Sequence, residues 1–319
     1  MDGRPVLVCT QDEDATADLV IAELNQRRVP VIRFDPGQDF PALVVLAART
    51  GAGGWGGRLA IGQRTADLSA VRALYHRRPS TYAMGGGGQA ARFAAQENRR
   101  GLGGVLTALP GCLYVSHPQA IARAEYKPAQ LDTATRVGLA VPATLITNDA
   151  VEAKAFCAEQ PAIYKPLHAA AYHVAGEPAG IWAAPAGPDE IDDAVSRCAH
   201  LFQAQVPKVA DVRAVVVGER VFSARITAPP GVVDWRSEYR NLVYEPVTCP
   251  EGIRGALVRF LAGFDLSFGA FDFAVTADDA WWFLECNPNG QWAWLQAAAG
   301  LPITNAIADL LANGASHHD

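Results

Sequence analysis

The segment FDFAVTADDAWWFLECN, residues 271–287, decides how this chain of 319 residues is interpreted. Its two ends are rich in aromatic or β-branched side chains, which predicts two strands. The Ala-Asp-Asp-Ala break between them predicts a tight hairpin turn. A turn centred on the two aspartates of this break places Asp272 directly opposite Glu285.

These two carboxylates predict a metal site. Like charges at cross-strand distance destabilise a hairpin unless something positive lies between them. Asn287 follows Glu285 by two residues and therefore projects from the same face. Carboxylate and amide oxygens suit Mg²⁺ better than Zn²⁺. We therefore expect Asp272, Glu285 and Asn287 to bind magnesium. The alternative is that both acids are solvated side chains on the polar face of an ordinary hairpin.

The opposite face of the hairpin is predicted to belong to the core. The alternation assigns these side chains to it: Phe271, Phe273, Val275, Trp282, Leu284 and Cys286. On the carboxylate face, the small side chains of Ala270 and Ala274 leave room for a ligand.

Composition narrows the class of protein. The length predicts two or three structural units. A net charge of −6 argues against a general affinity for nucleic acid or anionic membranes. The N-terminus lacks the features of a signal peptide, and no apolar stretch approaches membrane-spanning length. The six cysteines contain no CxxC pair, which favours reduced thiols in the cytoplasm.

The first part of the chain predicts an α/β unit. Residues 5–35 follow a strand–helix–strand pattern typical of a parallel sheet, with Asp12 or Asp14 as the helix N-cap. The turn at 11–14 carries three acids and no glycine, so this Rossmann-like unit has no phosphate site there. The G-x-G-x-x-G match at 51–56 is interpreted as a hairpin loop, because a strand rather than a helix follows it.

The remaining elements indicate a boundary at residue 111, marked by a Pro-Gly pair. Predicted helices cover 90–109, 118–126, 128–137, 149–159, 189–202, 252–264 and 303–313. Predicted strands cover 112–116, 143–147, 162–167 and the antiparallel pair 212–217 and 221–227.

Two lysines suggest an anion site. Lys165 lies in an apolar strand, where a lysine is costly to bury unless an anion meets it. Lys127 precedes a Pro-initiated helix, near its positive end. The small-residue loop 168–180 is suited to folding over phosphates. Alternatively, Lys127 is an ordinary surface lysine and Lys165 an edge-strand lysine that reaches water.

Further residues are suited to a nucleotide and a phosphoryl group. Asp211 and Arg213 have i, i+2 spacing on one strand, and Arg213 offers a bidentate fork to phosphate or carboxylate. An ion pair between them is the alternative. Free backbone groups of the segment 203–207 suit the edge of an adenine ring.

At this point the sequence resembles the ATP-grasp carboxylate–amine ligases over nearly its whole length. The residues that carry the resemblance are Lys127, Lys165, Gln203-Ala204-Gln205-Val206, Asp211-x-Arg213, Asp272 and Glu285-x-Asn287. Three further motifs resemble the graspetide synthetases, which cross-link ribosomally made peptides: Tyr75-His76-Arg77-Arg78-Pro79, Asp234-Trp235-Arg236 and residues 287–295.

The resemblance implies an α/β ATP-grasp fold with a pre-ATP-grasp domain (1–111), a central lid subdomain (112–207) and a C-terminal grasp subdomain (208–319). ATP would lie between the last two. The implied roles are phosphate binding by Lys127 and Lys165, adenine binding by Gln203, Gln205 and Val206, Mg²⁺ binding by Asp272, Glu285 and Asn287, phosphoryl transfer at Arg213 and Asp211, and peptide binding by Arg236 and Arg240.

The resemblance also implies the substrate. It would be a precursor peptide with a leader, docked near the helix 189–202, and an acidic core whose carboxylates are activated by ATP. Relatives are commonly homodimers. One departure is Pro207-Lys208, where many relatives have an acid for the ribose. The competing functions are a ligase that adds an amino acid to a peptide terminus and a non-catalytic nucleotide-binding adaptor.

Overall fold

The computed structural model describes residues 3–168, 172–174, 176–238 and 241–314. The helices are α1 (Ala15–Gln26), α2 (Gly88–Leu106), α3 (Pro118–Ala124), α4 (Lys127–Arg136), α5 (Ala150–Glu159), α6 (Glu251–Gly263), α7 (Ala293–Ala299) and α8 (Ile303–Asn313). Within these ranges no helix combines the length and apolar character needed to span a membrane.

The strands of the first part are β1 (Val6–Cys9), β2 (Val31–Phe34), β3 (Val44–Gly51), β4 (Gly54–Ile61), β5 (Arg64–Asp67), β6 (Ala73–His76) and β7 (Leu113–Val115). The middle contributes β8 (Thr144–Thr147), β9 (Ala162–Lys165), β10 (Tyr172–Val174), β11 (Glu177–Ala179), β12 (Ala184–Ala186) and β13 (His200–Ala204). The last are β14 (Lys208–Val217), β15 (Arg220–Thr227), β16 (Val243–Pro246), β17 (Phe268–Thr276) and β18 (Trp281–Asn287).

A parallel sheet in the order β2-β1-β6-β7 forms the centre of the first unit, as the strand–helix–strand pattern predicts. Asp14 is the N-cap of α1: its Oδ1 accepts from the backbone amide of Ala17 at 3.2 Å, and its Oδ2 accepts from the hydroxyl of Thr10 at 2.7 Å. Strand β7 pairs with β6, so this sheet continues past residue 111.

The glycine-rich segment 51–56 is a hairpin turn, as predicted. Gly51 pairs with Gly54 across β3 and β4, which leaves two residues in the turn. Gly57 has a φ of +113°, and a Cβ there would lie 2.1 Å from the carbonyl oxygen of Ala47. The close approach of these two strands therefore requires glycine.

The helix predicted at 189–202 is wrong. Residues 188–190 and 193–197 form short 3₁₀ turns, and the chain then enters β13. Strand β13 lies inside the sheet β12-β9-β13-β8 and pairs with a neighbour on each side. These two ladders fix residues 200–204 as a strand whatever their local helix propensity.

The largest sheet is antiparallel and has the order β16-β15-β14-β17-β18. It contains the predicted strand pair as β14 and β15. One face packs against α4 and α6 through side chains such as Phe260, Phe271 and Phe283. The other face packs against α7 and α8 at one end, where Val215 and Val217 are buried. The other end of that face carries the charged residues of the candidate site.

The predicted pairing of Asp272 with Glu285 is confirmed, but the hairpin reaches it through a β-bulge. The turn closes between Thr276 and Ala280, one residue tighter than the predicted turn. The register shifts between residues 272 and 273, where Leu284 is the extra residue of β18. The bulge restores the carboxylate pair.

The bulge also corrects the predicted core face. Trp281 and Phe283, rather than Trp282 and Leu284, oppose the core residues of β17, and Phe283 is fully buried. Leu284 instead lines a cavity beside Ala274. The bulge therefore directs Leu284 toward this cavity while the next residue, Glu285, still pairs with Asp272.

The two candidate N-caps of α1 provide a stability test. We expect Asp14→Ala to lower the free energy of unfolding by about 1–2 kcal/mol, because the cap and the Thr10 hydrogen bond are both lost. Asp12→Ala is the matched control, since the side chain of Asp12 caps nothing. Urea unfolding of both variants measures the difference. Equal losses would contradict the assignment of Asp14 as the cap.

Candidate active site

Three buried charged residues lie side by side across the largest sheet. The register places Arg213 of β14 opposite Asp272 of β17, and Asp272 opposite Glu285 of β18. Each is about 5% exposed. Nη1 of Arg213 donates to Oδ2 of Asp272 at 2.8 Å. The row follows from strand register, because residues directly opposite one another share a face. Because Asp272 and Glu285 are both buried, the alternative that they are solvated acids is excluded.

Two further cations reach Glu285 from outside the sheet. Nζ of Lys127, at the start of α4, contacts Oε2. Nη1 of Arg236 donates to Oε1 at 2.9 Å. Burial alone would raise the pKa of Glu285, but the charges of Lys127, Lys165 and Arg236 outweigh it and hold the pKa well below its usual range. Glu285 is therefore a carboxylate at neutral pH.

The donor set fits a hard divalent cation. Oδ1 of Asp272 is buried and has no hydrogen-bond partner among the described residues, so it is available to a ligand. The amide of Asn287 lies 3.4 Å from Oδ2 of Asp272 and 3.5 Å from Oε1 of Glu285. Turning this amide over presents its oxygen instead of its nitrogen. In the described ranges no cluster of three or more His, Cys, Asp or Glu side chains could hold a metal ion. The amide of Asn287 is therefore the candidate for a third ligand beside the two carboxylates.

Lys165 is the most exceptional cation of the site. It is 6% exposed, and its ammonium group makes no hydrogen bond or ion pair with any residue that the structure describes. Burial lowers the pKa of Lys165 to about 8, although the charge of Glu285 opposes the shift. A buried amine without a direct partner favours an anionic ligand. Lys127 is the first residue of α4, where no side chain caps the free backbone amides.

A cavity of about 640 Å³ lies beside this row and has the mixed apolar and polar lining of a nucleoside site. Ile163, Val206 and Leu284 contribute apolar surface, and the segment 203–207 forms one wall. The backbone amide of Gln205 is not free, as it donates to the carbonyl of Pro161 at 2.8 Å. The backbone amide of Val206 donates to no acceptor among the described residues, so within the segment 203–207 it is the donor that remains available to a base.

Gln203 also faces this cavity. Its Nε2 donates to the hydroxyl of Thr144 at 2.9 Å, whereas its buried Oε1 has no partner. An acceptor that is buried and unpaired next to a cavity suits a ligand donor such as an exocyclic amine.

The structure separates Asp211 from Arg213. Lys208 donates to both oxygens of Asp211, at 2.6 and 2.8 Å, and to the carbonyl of Val233 at 2.7 Å. Burial raises the pKa of Asp211 to about 6 against the opposing charge of Lys208. Lys208 and Asp211 both line the cavity of about 640 Å³. Arg213 pairs with Asp272 instead, so the alternative of an Asp211–Arg213 ion pair is wrong.

A second cavity, of about 760 Å³, opens on the other side of the charged row and is here called the peptide-sized cavity. Arg213 of the row lines it, as do Lys127 and Arg236, which contact Glu285 from outside the sheet. Asp234 holds Arg236 through hydrogen bonds of 2.9 and 3.0 Å. Trp235 lies 5.4 Å from the ring of Trp294, so aromatic rings form part of the wall. Arg240 lies outside the described residues.

Sequence reasoning assigned no role to Arg77 and Gln291. Arg77 is 2% exposed and donates to the carbonyl of Asn289 and, at 2.8 Å, to Oε1 of Gln291. The carbonyl of Gln291 accepts from Nη2 of Arg213 at 3.2 Å. The first unit therefore helps to position Arg213. The sequence does carry one signal for Arg77: it directly follows the carboxyl end of the parallel strand β6, where ligands bind in such sheets.

Gly290 fits tightly between these residues. A Cβ there would lie 2.5 Å from the Cβ of Ala270 and 2.7 Å from Nη2 of Arg213. The turn at 287–290 closes with a hydrogen bond from the Gly290 amide to the carbonyl of Asn287 at 3.0 Å. Only glycine lets this turn lie directly against the charged row.

Comparisons with known proteins bear on the fold. Residues 5–122 match the family model of the MvdD pre-ATP-grasp domain. No curated protein matches the chain. A Chryseobacterium gregarium RiPP-associated ATP-grasp ligase, solved with ADP and a leader and core peptide, matches with a TM-score of 0.88, 24% identity and 97% coverage of each chain.

Two macrocyclases from Microcystis aeruginosa also match. MdnC, solved with the precursor peptide MdnA, gives a TM-score of 0.83 at 27% identity over 97% of this chain and 99% of its own. MdnB gives 0.79 at 27% identity over 98% and 100%. These findings confirm the ATP-grasp fold and the resemblance to the graspetide synthetases.

The tight turn yields a test with an opposite-sign control. Gly290→Ala is expected to lower the free energy of unfolding by about 1–3 kcal/mol, because the added methyl group overpacks the contact with Ala270. Gly101→Ala, within α2 and with nothing within 4 Å of its Cβ, is expected to raise it by about 0.5–1 kcal/mol. Chemical denaturation measures both. A neutral Gly290→Ala variant would contradict the proposed fit.

Proposed function

We propose that this ATP-grasp ligase is a peptide macrocyclase of the graspetide type. It activates Asp or Glu side chains of a ribosomally made precursor peptide as acyl phosphates and joins them to Ser or Thr hydroxyls or Lys amines. The observation that carries the proposal is the buried row of Arg213, Asp272 and Glu285 between two cavities. One cavity suits a nucleoside, and the other is lined by arginines and aromatic rings. The similarity to MdnC, solved with a precursor peptide, supports it.

ATP is proposed to bind with its base against the wall 203–207. Its adenine would use the free amide of Val206 and Oε1 of Gln203. Lys165 and Lys127 would neutralise the phosphates. Lys165 ends β9, the strand whose Ile163 lines that cavity, and Lys127 contacts Glu285 of the charged row. Asp211 is proposed to hold Lys208 in the wall rather than to contact the reacting phosphoryl group, because its oxygens are taken by Lys208.

Asp272, Glu285 and Asn287 are proposed to hold Mg²⁺, which when bound offsets negative charge on the phosphate oxygens. Lys127 and Arg236 both contact Glu285 in this structure. Since ligand oxygens must face the cation, we expect at least one of these ion pairs to loosen in the loaded enzyme.

The reaction follows from the placement of the charges. An oxygen of the peptide carboxylate attacks the γ-phosphorus of ATP, the bond to the β,γ-bridging oxygen breaks, and ADP leaves. Arg213 offsets charge on the transferring group, while Arg236, held by Asp234, orients the peptide carboxylate. A hydroxyl or amine of the same peptide then attacks the acyl carbon. Inorganic phosphate leaves, the attacking group loses its proton, and an ester or amide ring closes.

Water must be kept from the acyl phosphate, because hydrolysis would waste ATP. Trp235 and Trp294 provide an apolar wall on the peptide side. The loop 168–180 is proposed to cover the phosphates. The structure describes a two-stranded hairpin of β10 and β11 within it, and residues 169–171 and 175 lie outside the described ranges.

We further propose that the leader docks on the central unit, that the enzyme is a homodimer, and that it acts in the cytoplasm. All six cysteines are free thiols, which suits a reducing compartment. Residues 188–204 form 3₁₀ turns and β13, which is paired on both sides, so docking there would use the loops and turns.

The alternative ligase function is separated by mass. Macrocyclisation removes one water from a single peptide for each ring, whereas ligation of a free amino acid adds the mass of a second substrate. Incubation with ATP and the peptide encoded beside this gene decides between them. An absence of ADP release with every candidate peptide would favour a non-catalytic adaptor.

The first test of the proposal is Glu285→Gln. The variant is expected to lower ATP turnover by on the order of 10²-fold or more, because a charged ligand of the metal is lost and Lys127 and Arg236 each lose an ion pair. Mn²⁺ affinity, measured by electron paramagnetic resonance, is expected to fall with it. Glu245→Gln on the exposed edge strand β16 is the matched control. Retention of most activity would refute the metal assignment.

The second test concerns the pH dependence of ATP binding. Lys165 is charged below a pKa of about 8 and neutral above it. The phosphates require the charged form, so kcat/KM for ATP is expected to fall by up to about tenfold per pH unit above pH 8. The variant Lys165→Arg stays charged in this range and is expected to give a flat profile. Parallel profiles of the two enzymes would contradict the role of Lys165.

A further inference from the structure

A third cavity, of about 740 Å³, extends from the peptide-sized cavity between α2 and α3. We propose that this α2–α3 groove binds an acidic segment of the peptide that flanks the reacting residues. The inference rests on the proposed function, since the groove would bind a further segment of the same peptide substrate. It concerns residues of the first unit and of α3 that no motif assigned to a ligand.

The groove is continuous with the peptide-sized cavity. His76, Pro79, Pro118 and Ala122 border both spaces. An extended chain that enters at Arg236 can therefore continue past these residues without leaving the surface. Burial lowers the pKa of His76 to about 4, so the junction itself is uncharged at neutral pH.

The charge along this path is opposite to that of the whole chain. Arg78 at the peptide-sized cavity and Arg99 in the groove are both exposed, and neither side chain forms an ion pair within the described residues. Among the described residues, Glu125 is the one acidic side chain that lines the peptide-sized cavity or the α2–α3 groove. The protein as a whole carries a net charge of −6. A positive strip on an acidic protein fits an anionic partner.

The shape of the groove suits a peptide rather than a compact anion. Gly103 and Gly104 keep one side of α2 low, and a Cβ on Gly104 would meet nothing within 4 Å. Gln96 and Gln119 lie on opposite walls and offer amide groups to an extended backbone. Carboxylates spaced along such a chain can reach Arg78 and Arg99 while another carboxylate reacts. The groove would thereby select peptides with several acids.

Binding of two labelled decapeptides tests the groove without ATP. One probe is fluorescein-(Glu-Gly)₅ and the other is fluorescein-(Gln-Gly)₅, compared by fluorescence anisotropy at low salt. The wild-type protein is expected to bind the acidic probe at least tenfold more tightly. Arg99→Glu and Arg78→Glu are each expected to weaken its binding by about tenfold. Arg49→Glu, an exposed arginine on β3 outside the groove, is expected to stay within twofold of wild type.

Three results would overturn the inference: equal binding of the two probes, unchanged affinity of Arg99→Glu, or no measurable binding by the wild-type protein. Circular dichroism verifies the fold of each variant, and Arg99→Gln replaces Arg99→Glu if that variant is unfolded.

A separate measurement, the ATP-dependent loss of water from the precursor peptide by mass spectrometry, distinguishes failure of the groove from failure of the macrocyclase proposal. If no peptide is cyclised although the arginine variants weaken probe binding, the macrocyclase proposal fails and the groove stands. If cyclisation proceeds with an unchanged KM for peptide in Arg99→Glu, the groove fails alone.

Discussion

The arrangement of the site depends on the burial of Asp272 and Glu285 next to each other. Two adjacent buried carboxylates repel, and each is stable only with cations close by. Arg213 comes from the neighbouring strand, Lys127 from the start of α4, and Arg236 from the turn held by Asp234. Three separate parts of the chain therefore have to meet at one point before the charges are balanced.

This requirement explains why the first unit is tied to the last. Arg77, buried at the carboxyl end of β6, donates to the 289–291 segment, and the same segment accepts a hydrogen bond from Arg213. Thr16 of α1 adds a hydrogen bond to Gln291 at 2.7 Å. A displacement of the first unit would move the guanidinium group of Arg213, which is proposed to face the transferring phosphoryl group.

The sequence predicted what strand periodicity and residue chemistry determine. The pairing of Asp272 with Glu285 was predicted with a turn one residue too long and without the bulge, and these two differences cancel. The burial of Lys165 was predicted from the apolar strand around it. The bulge at Leu284 was missed because it depends on how the sheet packs. The strand at 200–204 was missed because its pairing partners are distant in sequence. The partner of Asp211 is Lys208 on the same strand, a contact made across the β-bulge that follows residue 208. Strand alternation alone did not reveal this contact.

A crystal structure with ADP and Mn²⁺, in which anomalous scattering locates the metal, tests the central claim most directly. The account predicts an anomalous peak coordinated by oxygens of Asp272, Glu285 and Asn287, with Lys127 or Arg236 displaced from Glu285. A metal bound away from these three side chains, with both ion pairs to Glu285 intact, would contradict it.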